Sequence, residues 1–146
     1  MYCNRLGLAM LALPLLACSP QEPEAALRSA LAAAETAAEA RDTGFFRSLI
    51  ADEYVGPAGQ SKDELIDTLR GYFLLNSSVE VLSFVDELEL MADSAARVVV
   101  RAAVLGRGRV GAPLGLDADF YRIELQLVRQ GSDWRIIGAD WGRARE

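Results

Sequence analysis

Histidine is absent from the 146 residues. That removes Ser–His and Cys–His nucleophile pairs, histidine general bases and histidine-ligated metal centres. Cysteine is scarce: the two present, Cys3 and Cys18, both lie near the N-terminus, so no disulfide framework or redox centre is expected in the folded part. Basic charge is in deficit, with 15 Lys and Arg against 21 Asp and Glu and a net charge of -6. Free DNA or RNA needs a basic surface for its phosphates, so no nucleic-acid partner is expected. The acidic residues are scattered without calcium-loop spacing, and neither a metal nor another cofactor is expected. What is there is 51% hydrophobic and 25% charged, the balance of one folded domain.

Residues 1–17 read as a leader. Arg5 supplies the positive end, and the apolar stretch Leu6 to Leu16 falls short of the about 20 residues of a bilayer span. It ends in Leu15-Leu16-Ala17-Cys18, which resembles the bacterial lipobox, whose cysteine is diacylglyceryl-modified, cleaved before and acylated again. Leu16 departs from that pattern, where a small residue is commoner. The competing readings are an ordinary secreted protein or a structural cysteine. Two or more acyl chains are what stable anchoring requires. Cys18 is thus the expected lipid attachment site, and 18–23 a short tether reaching at most about 17 Å. Ser19 stands where an inner-membrane retention signal would have aspartate. The expected address is the bacterial cell envelope, on the outer membrane and facing the periplasm.

The domain is expected over 24–146. Nine of the eighteen residues from Glu24 to Arg41 are alanine, the best helix former, with Leu27, Leu31, Ala34 and Ala38 at helical spacing. Asp42-Thr43-Gly44 breaks that helix and caps a shorter one carrying Phe45, Phe46, Leu49 and Ile50. Glu53 to Gly56 is a short extended piece before the Gly56-Pro57-Ala58-Gly59 turn. Ser61-Lys62-Asp63-Glu64 is a capping box opening a third helix with Leu65, Leu69, Tyr72 and Phe73 on one side. From Val79 the period becomes two, giving strands at Val79–Met91, Ala95–Leu105, Ala118–Gln130 and Trp134–Gly142, the last two joined at Gly131-Ser132-Asp133. Val98, Val100, Ala102 and Val104 share a core phase with Tyr121, Ile123, Leu125 and Leu127. Arg97, Arg101, Arg122, Glu124 and Glu87 take the opposite phase, as cross-strand ion pairs on the outer face. The expectation is an α+β domain, three helices packed in a curved antiparallel sheet.

In this order of elements the chain resembles the nuclear transport factor 2-like superfamily, in its SnoaL-like and small-lipoprotein branch. The resemblance rests on Ala38-Glu39-Ala40-Arg41-Asp42, on Phe46 to Tyr54, on Ser61 to Leu65 and on Trp134-Arg135-Ile136-Ile137 through Trp141. It implies a cone-shaped fold with an apolar pocket at the wide end. Members include isomerases, dehydratases and cyclases beside non-catalytic binding and dimerisation modules, so the fold alone decides no activity.

Enzymatic members use a pocket carboxylate as base, with a tyrosine or a protonated acid facing the oxyanion. Asp140 is the candidate here, because it shares the strand phase of Trp134 and Ile136 and would then point inward. Tyr54, Tyr72, Phe73, Tyr121 and Trp134 complete the expected pocket lining, against the plainer reading of an exposed aspartate and core aromatics. Gly106-Arg107-Gly108-Arg109-Val110-Gly111 has the spacing of a dinucleotide loop, but Ala112-Pro113-Leu114-Gly115 follows where a helix must start. A long hairpin at the pocket rim or sheet edge is the expected reading, with Arg107 and Arg109 at its tip. The sequence thus favours a non-enzymatic module for a small apolar ligand or a protein partner, with a homodimer through the sheet face as one form. The alternative is an isomerase, dehydratase or cyclase with Asp140 as base.

Overall fold

A computed structural model of the chain describes residues 22–108 and 117–144. The leader, Cys18, Arg109 and the second half of the glycine-rich loop lie outside these residues. Helix α1 (Pro23–Glu39) is followed by α2 (Thr43–Leu49), strand β1 (Ile50–Val55), helix α3 (Lys62–Leu75) and strands β2 (Asn76–Met91), β3 (Ala95–Gly108), β4 (Asp117–Gln130) and β5 (Asp133–Arg143). Short 3₁₀ turns sit at Pro57–Gly59 and Ala92–Ser94.

Local chemistry explains the boundaries. Proline stands at the start of α1, where its missing N–H costs nothing. Asp42 Oδ1 accepts from the Phe45 N–H at 3.0 Å and starts α2. The capping box of α3 forms in both directions, Glu64 N–H to Ser61 Oγ at 3.3 Å and Ser61 N–H to Glu64 Oε2 at 2.7 Å. Those bonds satisfy two of the otherwise orphaned N–H groups of the helix start, and they hold the Glu64 carboxyl below its usual range.

The sheet order is β1-β5-β4-β3-β2. β2 to β5 form an antiparallel meander, whereas β1 lies parallel to β5. The sheet is therefore mixed, not wholly antiparallel as expected. Glu53 to Gly56 was too short and too polar a stretch to announce a paired strand. β2 is an edge, and α1 shields it: Glu39 accepts from the Val81 N–H at 3.2 Å, and the Ser83 hydroxyl bonds Glu35.

Two apolar clusters join helices to sheet. Leu27 of α1 is buried among Ala96, Val98, Val100, Leu127 and Trp134. Ile50, Tyr54 and Ile66 form the other, under Phe46, Leu65 and Leu69. Each fully buried aliphatic side chain here contributes about 1.5–3 kcal/mol relative to exposure. On the outer face Arg97 bonds Glu124 at 2.8 Å and Glu87 at 3.0 Å, the expected cross-strand pairing.

Candidate functional site

Three elements converge at the end of the sheet away from the β4–β5 turn: the end of α3, the end of β3 and the start of β4. Gly106 makes their approach possible. A Cβ there would stand 2.5 Å from Asn76 Oδ1 and 2.6 Å from the Tyr72 hydroxyl, so any larger residue would displace both side chains. Asn76 is steadied by its Nδ2 donating to the Tyr72 carbonyl at 2.9 Å.

Beside this junction the helix-facing side of β4 carries Asp119 and Tyr121, opposite Val104 and Ala102 of β3. The Tyr121 hydroxyl donates to the Asp119 carboxylate; burial first, then the Asp119 charge and this bond, raise its pKa. Arg143, opposite Tyr121 on β5, meets Asp119 Oδ1 at 3.2 Å. A carboxylate, a phenol and a guanidinium thus share one spot on the inner face. They are bonded to one another, which leaves the phenol oxygen as an acceptor and the remaining guanidinium N–H groups as donors toward a ligand.

Asp140 is elsewhere. The β4–β5 register runs Leu127↔Ile136 and then Gln126↔Gly138, so β5 carries one extra residue at Ile137. A bulge of one residue reverses the side-chain phase beyond it. Ala139, Trp141 and Arg143 therefore take the inner face, and Asp140 pairs with Glu124 on the outer one, exposed. The inward phase expected from Trp134 and Ile136 is corrected on this ground.

The other expected pocket residues do not gather round a single space. Tyr72 and Tyr121 lie at the junction end. Tyr54 is buried at 3% exposure against Ile66 of α3; Phe73, on α3 itself, is 7% exposed and packs between Phe46 and Tyr72 at ring separations of 6.4 and 6.2 Å. Trp134 sits at the opposite end in the Leu27 cluster, its Nε1–H donating to the Pro23 carbonyl at 3.1 Å. Burial pushes the Tyr54 phenol up to about 12, and its hydroxyl has no hydrogen-bond partner among the described residues.

Two open clefts stand apart from the junction. One, of about 440 Å³, is lined by Arg47, Asp52, Ser61, Lys62 and Asp63. Its charges are already satisfied, Lys62 with Asp52 at 2.7 Å and Arg47 with Asp63 at 3.1 Å, and the Lys62 bond and charge hold the Asp52 carboxyl low. The second, of about 300 Å³, lies between α1, α2 and the start of β5, over Ala30, Phe45, Leu49 and Trp134.

The outer sheet face holds a feature the alternation pattern passed over. Leu82, Ala103 and Phe120 stand side by side across β2, β3 and β4. Leu82 and Phe120 are 56% and 59% exposed, and Phe84 beside them 57%. The signal was present in the sequence: Phe120 occupies the phase of Arg122 and Glu124, where a polar residue belongs. Asp119 was legible in the same way, since it shares the phase of Tyr121.

An α+β cone of three helices inside a five-stranded sheet is the class of fold these elements define. The solved structures it resembles make that the nuclear transport factor 2-like, or cystatin-like, fold. A putative scytalone dehydratase from Novosphingobium aromaticivorans superposes with a TM-score of 0.73 at 11% identity, over 82% of this chain and 83% of that one. A ketosteroid isomerase-like protein from Erwinia carotovora atroseptica gives 0.68 at 16% identity, over 86% and 99%. An NTF-2 like protein of unknown function from Silicibacter pomeroyi gives 0.63 at 14%, over 86% and 99%. At such identities the likeness is one of fold. No protein-family profile and no curated protein matches the sequence.

Proposed function

We propose that this chain is a lipid-anchored envelope protein, attached through Cys18 to the outer membrane and facing the periplasm, that works as a non-enzymatic binding module. Its occupant is a protein partner, a second copy among them, or a small apolar ligand. The observation that carries the reading is the outer-face row Leu82–Ala103–Phe120, whose two large side chains are exposed. Contiguous apolar side chains on a soluble domain's surface mark a place that something covers. The absence of histidine and the outward position of Asp140 support a binding role over a catalytic one. Native mass spectrometry of residues 19–146 made in a bacterial periplasm tests it. A retained small molecule or a dimer supports the binding role; a bare monomer that captures neither counts against it.

A second reading is favoured by the Tyr121–Asp119 bond: an enzyme of the isomerase, dehydratase or cyclase kind with Asp119, in place of Asp140, as the proton-abstracting base. Turnover of a carbonyl substrate that Asp119→Asn abolishes while the fold survives would establish it. Equal turnover in the variant would remove it.

A further inference from the structure

The fold says which end of the domain an anchor at Cys18 would hold against the membrane. The first described residue is Glu22, four positions after Cys18, and the chain enters α1 at Pro23. Pro23 is not loose: its carbonyl takes the indole N–H of Trp134 at 3.1 Å, and Trp134 is buried in the main core cluster. The entry point is thereby fastened to the base of β5, beside the β4–β5 turn. The β2–β3 turn at Ala92–Ser94 lies at the same end of the sheet, because Ala95 pairs with Val128 and Gln130 with Asp133. A tether of five residues reaches no more than about 17 Å, which keeps this end of the domain near the membrane.

The charges at this end are mixed and close to balanced: Glu22 and Asp93 are exposed, Asp133 lies 3.8 Å from Arg135, Arg28 is paired with Glu24 at 2.9 Å, and Arg129 stands opposite Trp134. A surface of little net charge meets zwitterionic headgroups without repulsion and gains nothing from anionic ones. The exposed row at Ala103 lies eight residues along β3 from Ala95, roughly 25 Å at about 3.3 Å per residue.

We propose that the domain meets the lipid surface end-on, with the start of α1 and the β2–β3 and β4–β5 turns against zwitterionic headgroups, and that Leu82, Ala103 and Phe120 are held well clear of the bilayer. The proposal rests on the anchored reading above. It makes the apolar row a surface for something in the aqueous space, never an insertion into the chain's own membrane.

The two tryptophans test this without disturbing the fastening. Trp134 lies at the proposed lipid end and Trp141 about 20 Å further along β5. The acylated full-length protein is placed on phosphatidylcholine vesicles carrying a dansyl headgroup acceptor. Energy transfer is measured for the wild type and for Trp141→Phe, whose remaining signal is that of Trp134. Transfer from Trp134 at least twofold greater than from Trp141 is the expected result. Equal transfer, or a larger share from Trp141, would overturn the orientation. Protein that does not float with vesicles, and so behaves like a Cys18→Ser control, would overturn the anchored reading and the orientation with it, before any transfer is read.

Discussion

Glu124 and Asp140 stand directly opposite each other on β4 and β5, two carboxylates on the outer face of the sheet. Glu124 is engaged by Arg97 at 2.8 Å, whereas Asp140 is exposed and none of the ion pairs among the described residues involves it. Like charges directly opposite across a sheet repel. Asp140→Asn therefore leaves stability within about 0.5 kcal/mol of the wild type, on the stabilised side. Urea unfolding at neutral pH measures it. A large loss would mean that Asp140 has an inward role the register denies.

Arg97 sets the acid response of the same face. Its hydrogen bonds, then its charge, hold the Glu124 carboxyl below the ordinary value of 4.5. A lowered carboxylate contributes stability that is present above its unfolded value and is lost as pH falls through the folded one. Arg97→Met removes that contribution, so the variant is less stable at neutral pH and its stability falls less steeply below about pH 4.5. Parallel unfolding midpoints across that range for both proteins would contradict it.

Gly106→Ala tests the junction of α3 with β3. The added methyl would meet Asn76 Oδ1 at 2.5 Å and the Tyr72 hydroxyl at 2.6 Å, and both groups would have to move. Overpacking of this kind costs about 1–3 kcal/mol. Gly71→Ala is the control, because nothing lies within 4 Å of its Cβ position and alanine is the better helix former. It should match or exceed the wild type in thermal melting while Gly106→Ala falls.

Where the sequence could be read, one local rule decided the outcome. The alanine run from Glu24, the Asp42 cap, the Ser61–Glu64 box and the two-residue period from Val79 placed three helices and four strands. Each signal lies within a few residues of what it specifies. The parallel pairing of β1 with β5 joins Ile50 to Ile136, and no local pattern encodes a partner so far along the chain. The site was lost at Ile137. Phase counting from Trp134 assumes an unbroken strand, and one bulged residue carried Asp140 to the outer face while Asp119, on unbroken β4, stayed inside.

The apolar row should matter to association more than to folding. Phe120 is 59% exposed, so Phe120→Asp costs the monomer no more than about 0.5 kcal/mol. A charge placed in the centre of a dry interface costs several times that. Sedimentation of wild type and variant should show any self-association weakened at least tenfold with melting unchanged. If both associate equally, a partner of this row is not a second copy.

Tyr54 separates stability from function most cleanly. It is 3% exposed and its hydroxyl is unpartnered among the described residues, which leaves a desolvated donor without compensation. Tyr54→Phe removes that donor and keeps the ring in the Ile50–Ile66 cluster, so the variant should be as stable as the wild type or more so, by up to about 1 kcal/mol. The alkaline limb gives an independent check. Burial raises this phenol from 10.0 to about 12. The unfolded chain therefore releases the proton first, and native stability declines as pH rises from 10 towards 12. Tyr54→Phe loses this part of the decline, and its curve should be flatter there. If the variant is more stable yet binds its ligand or partner less tightly, the hydroxyl is retained for recognition at the expense of stability. If binding is unchanged, Tyr54 is a packing residue and the ligand meets the domain elsewhere.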